Sequence, residues 1–495
     1  MKHENARGSV SGLMHISRQA ATYSGGDRCM VAPSPELRER IKQEFANVLG
    51  TSSGLMGMML RAQQRIPIGM NDGLIYPGDT LPLETTAFAI RRAAAERAPL
   101  RGTTRVIVAL VQFSDRALAE TLQHYKDLLF STGVLPNGSV KEYYTEVTGG
   151  LLDIVGEVVG PYTLPRTMAE YANGGSGIGP ALPNARTMAR DAAEIANPQV
   201  DFGPYDNNHD GYVDAFIVLH AGPGAESTGN TGHIWSHKWV LPSGAYDADG
   251  IKIYAYLTVP EEARIGVCCH ELGHLLFGFP DLYDTDYSGE GVGNWCLMGG
   301  GSWLGGGDIP AHPSAWCKLQ QSWATVVDPL NENNLHIEDV KTGRKVYRLW
   351  KGATAQKEYF LIENRQKSQY DRELPGQGLL VWHVDDAIPE NSNEIHPKVA
   401  LVQADGKRDL ENGSNRGDAG DPFPGSANKV SFSGNSAPNS KSYSGQETCV
   451  KVDNISAPGA VMTANVVTAC KVEGLSWWDK LARWLRTLLG QGQPS

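Results

Sequence analysis

The order of apolar and polar residues predicts alternating strands and helices in the first half of the chain. Residues 106–111, Val-Ile-Val-Ala-Leu-Val, form a continuous apolar run, which is typical of a strand buried on both faces. Other strand-like runs occur at 152–158, 213–219 and 251–259, and helical patterns occur at 117–130, 140–146, 185–196 and 261–277. This alternation predicts an α+β (mixed α/β) domain over residues 101–334.

Further along the chain the apolar residues occur in short runs separated by turn residues. The runs lie at 345–350, 358–364, 378–384, 398–405, 449–454 and 461–466. Short strands at this spacing predict an all-β, sandwich-like domain over residues 335–470.

The two ends of the chain differ from these regions. Residues 1–100 contain helical patterns at 35–48 and 87–97, but their apolar residues are too sparse for a separate core. We therefore expect a leader segment that packs onto the rest of the protein. Residues 471–495 predict an amphipathic helix with three tryptophans, because apolar residues recur there every three or four positions. This helix could dock on its own protein, and residues 475–490 could instead contact a membrane surface or a partner.

Composition excludes several classes of protein. Hydrophobic residues make up 41% of the chain and charged residues 20%, an ordinary globular balance. The net charge of −11 and the lack of a basic run predict no nucleic-acid partner. No apolar run approaches the ~18 residues of a membrane span. No secretory signal is visible either, because residues 1–32 lack an apolar segment.

The seven cysteines do not form a metal-binding pattern of their own. They include no pair with the CxxC spacing, so a zinc site made of cysteine alone is not predicted. Cys449 and Cys470 lie in two predicted strands and could form a disulfide.

The sequence His270-Glu271-Leu-Gly-His274 carries the clearest chemical signal. Residues four apart on a helix share one face, so the two imidazoles can bind one metal ion. Glu271 is turned about 100° away, which places its carboxylate beside a metal-bound water. Zinc lowers the pKa of such a water towards ~7, and Glu271 can act as the general base.

Two nearby features strengthen the metal-site interpretation. Gly278 can end the helix and reverse the chain, which can bring Asp281 to the metal as the third protein ligand that a catalytic zinc requires. Met298 lies in a glycine-rich stretch soon afterwards, an arrangement similar to the Met-turn beneath the metal of metzincin-type peptidases.

Together these residues resemble the immune inhibitor A family of bacterial zinc metallopeptidases. The resemblance extends over about residues 100–465, and its motifs lie at 270–274, 280–284, 297–303 and 313–318. It implies a zincin-like catalytic domain, a propeptide-like leader, secretion, protein substrates and structural calcium. Gly278 and Asp281 come one residue later than is usual in the family, so three other residues are alternatives for the third ligand. These are Asp284, Glu290 and His312.

A second cation site is predicted at residues 206–214. Asp206, Asn208, Asp210 and Asp214 occupy positions 1, 3, 5 and 9 of a calcium-loop pattern, with Gly211 at position 6. Ile217 replaces the glutamate expected at position 12, so the pattern is incomplete, and an Asx-rich turn is the alternative. In a second acidic stretch, 405–421, the triplet Arg416-Gly417-Asp418 is interpreted as part of a turn or a weak cation loop.

Cys29 suggests a mechanism of latency. A cysteine beside an arginine, ahead of the catalytic unit, is similar to the thiolate that blocks the metal in some metallopeptidase zymogens. The alternative is an ordinary cysteine.

The leading prediction is a zinc-dependent endopeptidase. A zinc hydrolase of non-peptide amides and a catalytically inactive binding or surface-attachment protein are the alternatives. The sequence does not identify the group that stabilises the oxyanion, although Tyr283 and Tyr287 are close to the motif. His237 could line the substrate cleft or be structural.

Overall fold

A computed structural model describes residues 29–51, 99–285, 287–350 and 357–468, and of residues 44–51 it describes only the backbone. The predicted helices at 87–97 and 471–495 lie outside these ranges, as does Cys470. Within the described residues no helix is long and apolar enough to cross a membrane.

A six-stranded mixed sheet forms the centre of the first domain. Its strands, in spatial order, are β1 (Cys29–Met30), β5 (His237–Val240), β8 (Ala255–Pro260), β4 (Phe216–His220), β2 (Gly102–Gln112) and β3 (Leu152–Thr163). Strands β8, β4, β2 and β3 are parallel, whereas β5 is antiparallel to β8 and β1 is antiparallel to β5. The predicted strand at 251–259 is in fact two strands, because β7 (Ile251–Ile253) forms a hairpin with β6 (Tyr246–Ala248).

Strand β2 confirms the prediction made from its continuous apolar run. Its alternate residues enter two different apolar cores: Val106 and Val108 pack on one face of the sheet, and Ile107 and Ala109 on the other. Helices cover both faces. They are α1 (Pro35–Thr51), α2 (Leu122–Phe130), α3 (Val140–Thr148), α4 (Met168–Ala172), α5 (Ala185–Ala196), α6 (Ala225–Thr228) and α7 (Ile265–Phe277). Two further helices, α8 (Ala315–Gln320) and α9 (Val340–Gly343), contact strands of the second region.

The second region consists of two β-sheets. One contains, in spatial order, β14 (Val399–Leu401), β13 (Gly378–Asp385), β12 (Glu358–Arg365), β11 (Lys345–Leu349) and β9 (Thr325–Val327). The other contains β10 (Glu332–Glu338), β17 (Val461–Val467), β16 (Lys451–Asp453) and β15 (Phe432–Ser433). Apolar residues of both sheets share one core, as a sandwich requires.

The five-stranded sheet is buried on both faces. Phe360 and Ile362 of β12 face the core between the two sheets, whereas Leu361 belongs to the core that also contains helix α7. The β region therefore packs directly against the domain that carries the His-Glu-Leu-Gly-His sequence.

Candidate metal centre

Helix α7 carries the predicted metal ligands and is enclosed by the rest of the protein. All thirteen of its residues are buried. The helix ends at Gly278, whose φ of +67° is a left-handed conformation that glycine adopts without strain. The backbone N–H of Gly278 donates to the carbonyls of Gly273 and His274, and the chain then reverses towards Asp281.

Three side-chain atoms converge beside this helix. The Nε2 atoms of His270 and His274 are 3.0 Å apart, and Oδ1 of Asp281 is 3.1 Å from each of them. Ligands bound tetrahedrally at 2.0–2.1 Å from one zinc ion would be about 3.3 Å apart. The three atoms therefore have nearly the spacing of ligands to one ion.

Hydrogen bonds at the far side of each imidazole fix its orientation. Nδ1 of His270 lies 3.0 Å from the carbonyl oxygen of Leu297, and Nδ1 of His274 lies 2.6 Å from that of Phe279. A carbonyl can only accept, so each Nδ1 carries the proton and, in the neutral ring, each Nε2 presents a lone pair. Burial lowers the pKa of His274, which favours this neutral form.

The three converging atoms therefore cannot satisfy one another. Two unprotonated Nε2 atoms and a carboxylate oxygen are all acceptors, and acceptors 3.0–3.1 Å apart repel unless a cation lies between them. Two imidazoles and one carboxylate are also a known protein ligand set of catalytic zinc. The donor set of this site thus fits the metal that the sequence predicts.

The structure places the alternative third ligands elsewhere. The Asp284 carboxylate accepts hydrogen bonds from Ser288 and from the N–H of Gly289. Glu290 forms ion pairs with basic side chains, and Nε2 of His312 lies 2.8 Å from a Glu146 oxygen. Of the four residues considered for the third position, Asp281 is the one in contact with both histidines.

Met298 lies directly against helix α7. A Cβ atom added to Gly273 would be only 2.7 Å from the Met298 sulfur, so the close approach depends on glycine. The main chain around Met298 also supports the ligands, because the carbonyl of Met298 accepts from the N–H of Leu282, the residue after Asp281. The glycine-rich stretch thus contacts the helix and holds the chain that carries Asp281.

Glu271 lies on helix α7, and the pKa of its carboxyl is shifted in the opposite direction from that of Asp281. It is fully buried, and neither carboxylate oxygen has a hydrogen-bond partner among the described residues. Burial raises the pKa of Glu271, and the negative charges of Asp281 and Glu226 raise it further. Burial also acts to raise the pKa of Asp281, but the adjacent His274 and His270 bring it below its usual range. The pKa values of the two carboxyls are thus shifted in opposite directions, a contrast typical of sites with separate acid–base and charged roles.

Cys29 lies beside this site although it is 241 residues before His270. Its sulfur, one nitrogen of His274 and one carboxylate oxygen of Asp281 are all within 4.8 Å of one another. Its strand, β1, pairs with β5 so that Cys29 is opposite Lys238. The pairing of β1 with β5 and the position of β1 at the sheet edge were not predicted from the sequence.

The nearby tyrosine and histidine side chains contact other groups of the protein. The Tyr283 hydroxyl donates to the carbonyl of Met30 at 3.0 Å, and the Tyr287 ring lies 5.0 Å from the Arg38 guanidinium. The His237 ring is held between the Trp235 carbonyl and the Tyr256 hydroxyl. In this structure, His237 therefore helps to hold strand β5 in the sheet.

The predicted calcium loop is a compact turn. Asp206 accepts hydrogen bonds from the N–H groups of Asp210 and Gly211, and Asn208 donates to Asp210. Asp214 accepts from the N–H of Asn207. These bonds are those of an Asx-rich turn, and calcium binding stays a prediction.

The acidic stretch 405–421 contains three carboxylates that approach one another and an arginine that contacts a different part of the protein. Asp405, Asp409 and Asp418 approach one another at the surface, but the ammonium of Lys407 lies 2.7 Å from Asp405. Arg416 contacts Glu290 at 3.5 Å.

Comparison with known proteins identifies the first domain. The model of the immune inhibitor A peptidase M6 catalytic domain matches residues 102–326. Over these residues the chain therefore matches the M6 peptidase family. The family resemblance inferred from the sequence motifs is therefore confirmed.

Two curated relatives are also similar to this chain. The chain is 32% identical over 276 residues to the pre-pro-metalloprotease PrtV of Vibrio cholerae serotype O1, covering 46% of this chain and 29% of that protein. It is 31% identical over 254 residues to immune inhibitor A of Bacillus thuringiensis subsp. alesti, covering 42% of this chain and 36% of that protein. The chain thus spans about a third of the length of these relatives.

Proposed function

We propose that this protein is a zinc-dependent endopeptidase that hydrolyses peptide bonds in proteins. The observation that carries the proposal is the convergence of three acceptor atoms, from His270, His274 and Asp281, at 3.0–3.1 Å. The M6 domain match and the metalloprotease relatives support the same reaction class.

The residues of the site have different roles in hydrolysis. His270, His274 and Asp281 would hold the zinc, which when bound lowers the pKa of a coordinated water and polarises a carbonyl. Glu271, which is fully buried on the same helix, would accept a proton from the attacking water, because the positive charge of the bound ion would favour its ionised form. The same carboxyl then donates that proton to the nitrogen of the leaving amine.

The sheet edge supports a protein substrate over a small amide. Strand β5 already pairs with an extended segment of the chain, β1, beside the ligands. Strand addition to a sheet edge is a recurring mode of peptide binding, in which main-chain hydrogen bonds supply affinity. A hydrolase of small non-peptide amides needs no such edge.

A substitution of Glu271 tests the proposal. Glu271→Gln keeps the shape of the side chain but cannot accept a proton, so we expect proteolysis of an unfolded protein substrate to fall about 10²–10⁴-fold. Bound zinc, measured by atomic absorption, should stay at the level of the unsubstituted protein. Glu261→Gln, on the loop before helix α7, is the matched control and should retain its activity.

The other candidate functions give different results. An amide hydrolase would cleave small amides but not the unfolded protein. A catalytically inactive binding protein would hold zinc and show no hydrolysis that depends on Glu271. Secretion and contact of residues 475–490 with a membrane or partner stay predictions based on the family resemblance and on the sequence pattern.

A further inference from the structure

An N-terminal segment of the protein, residues 29–42, lies across the candidate metal centre. Its carbonyl groups accept hydrogen bonds from side chains of the peptidase domain: Tyr283 donates to Met30, Trp235 to Val31 and Trp303 to Ala32 at 2.8–3.0 Å. Together with the β1–β5 pairing, these bonds hold residues 29–32 extended along the sheet edge, before the segment continues into helix α1. We call residues 29–42 the latch segment.

The latch segment brings a sulfur to the metal ligands. Cys29 is only 2% exposed and is not disulfide-bonded. Its sulfur belongs to the group of potential ligand atoms that also includes atoms of His274 and Asp281, all within 4.8 Å. Thiolate is a strong zinc ligand, and a catalytic zinc with three protein ligands has one open position.

A second contact anchors the latch segment outside the metal centre. Arg38 and Lys42, on α1, reach the buried carboxylate of Glu290 at 3.4 and 2.5 Å. Arg38 also donates to the carbonyls of Tyr287 and Gly289. Arg416 of the β region contacts Glu290 at 3.5 Å and the carbonyl of Pro35 at 3.3 Å.

We propose that Cys29 is the fourth metal ligand of a latent form of the protein and that Glu290 locks the latch segment in place. The inference rests on the proposed function, since it assigns the open position of the same zinc. The Cys29 thiol loses its proton to solvent as the sulfur binds, and the thiolate then excludes the attacking water. Activation requires the thiolate to leave and water to enter.

The binding of the Cys29 sulfur and the contacts with Glu290 strengthen each other because both involve the same short segment. The Glu290 contacts and the strand pairing keep the sulfur beside the ligands, so its binding is intramolecular and has a high effective concentration. Breaking the contacts with Glu290 should therefore expose Cys29 even though no atom of the metal centre is altered.

Cobalt substitution tests the sulfur ligand without measuring activity. The full-length protein is loaded with Co²⁺ in place of zinc, and its absorption is compared with that of Cys29→Ser. We expect a near-ultraviolet sulfur-to-cobalt charge-transfer band in the unsubstituted protein and its loss in Cys29→Ser. The visible d–d bands of tetrahedral cobalt should persist in both.

The possible spectra separate this inference from the proposed function. Visible bands without the charge-transfer band in the unsubstituted protein would overturn the latch and leave the metal centre intact. Absence of all cobalt bands from a folded sample would overturn both. The charge-transfer band in Cys29→Ser as well would assign the sulfur ligand to another cysteine and also overturn the latch.

Alkylation tests the second anchor. Iodoacetamide converts an accessible thiolate to a thioether and releases iodide, and mass spectrometry locates the label. We expect Lys42→Ala and Glu290→Gln to raise the rate of Cys29 labelling severalfold, and Lys141→Ala, which breaks a surface ion pair with Asp153, to leave it unchanged. Equal labelling rates in all variants, with folding verified by circular dichroism, would overturn the role of Glu290.

Discussion

At the scale of single residues, the geometry of the candidate metal centre depends on two main-chain carbonyls. Leu297, 27 residues after His270, orients that ring, and Phe279 orients His274. Such outer contacts fix the tautomer of each ligand. Asp281 reaches both histidines because the chain reverses at Gly278.

The assignment of Asp281 leads to a prediction about zinc affinity. Removing the charge of a direct ligand should weaken zinc binding at least as much as loss of an outer-shell contact, about 10–100-fold. We therefore expect Asp281→Asn to lower the affinity by at least about tenfold, measured by competition with a chromophoric chelator. Asp284→Asn is the matched control and should bind zinc normally. A larger loss in Asp284→Asn than in Asp281→Asn would contradict the assignment.

At the scale of elements, helix α7 docks on the glycine-rich turn at residues 300–307 through a position with no side chain. A Cβ atom added to Gly266 would lie 1.9 Å from the carbonyl oxygen of Ser302. A backbone atom cannot rotate away as a side chain can, so the clash would separate the helix from the turn. The helix is thus positioned as much by this contact as by its apolar residues.

Gly266→Ala should therefore destabilise the protein. Overpacking typically costs about 1–3 kcal/mol, and contact with a fixed backbone atom places this substitution at or above the upper end. The thermal unfolding midpoint should fall by several degrees, measured by circular dichroism. Gly232→Ala is the control, because the nearest atom to its added Cβ is a side-chain oxygen at 3.3 Å. An unchanged midpoint in Gly266→Ala would show that the helix and turn are not tightly packed.

Elements encoded by local patterns were predictable from the sequence, and those that depend on distant partners were not. Helix α5 has the predicted bounds, Ala185–Ala196, because its alanine face and its cap at Asn184 are local signals. Strand β2 was predicted from one continuous apolar run. In contrast, β5 and β1 are only four and two residues long. They exist as strands because each has a partner, and nothing in either segment specifies that partner.

The candidate site follows the same rule. The spacing of His270 and His274 is a local property of a helix, so the pair could be predicted. Whether Asp281 or Asp284 is the third ligand depends on the path of the chain after Gly278. The sequence could therefore only narrow the third ligand to a few candidates. The contacts of Glu290 with Arg38 and Arg416 were missed because they join three separate parts of the chain.

At the scale of the whole molecule, the peptidase domain and the β region share one core and one network of buried charges. Trp316 of α8 and Trp382 of β13 belong to the same apolar cluster. Beside them, the ammonium of Lys318 contacts Glu363 at 2.7 Å, and Arg365 contacts Glu363 at 3.2 Å. All three charged side chains are almost fully buried.

This network predicts that the two regions unfold together. Lys318→Met leaves the Glu363 carboxylate buried with less compensating charge, and breaking such a pair typically costs about 3–5 kcal/mol. We expect the free energy of unfolding in urea to fall by roughly that amount in a single transition. Lys141→Met, at a partly exposed pair with Asp153, should change it by less than about 1 kcal/mol. Two separate transitions, with only one shifted, would contradict the shared core.

The pairing of β1 with β5 has a consequence for solubility. An unpaired sheet edge exposes N–H and C=O groups that can pair with the same edge of another molecule, which is a common route to aggregation. In the form described here, β1 covers the edge. If that strand is released, β5 becomes free to pair, and the groups that can hold a substrate can equally hold a second copy of the protein. Concentrated samples of a released form should therefore be the ones most prone to self-association.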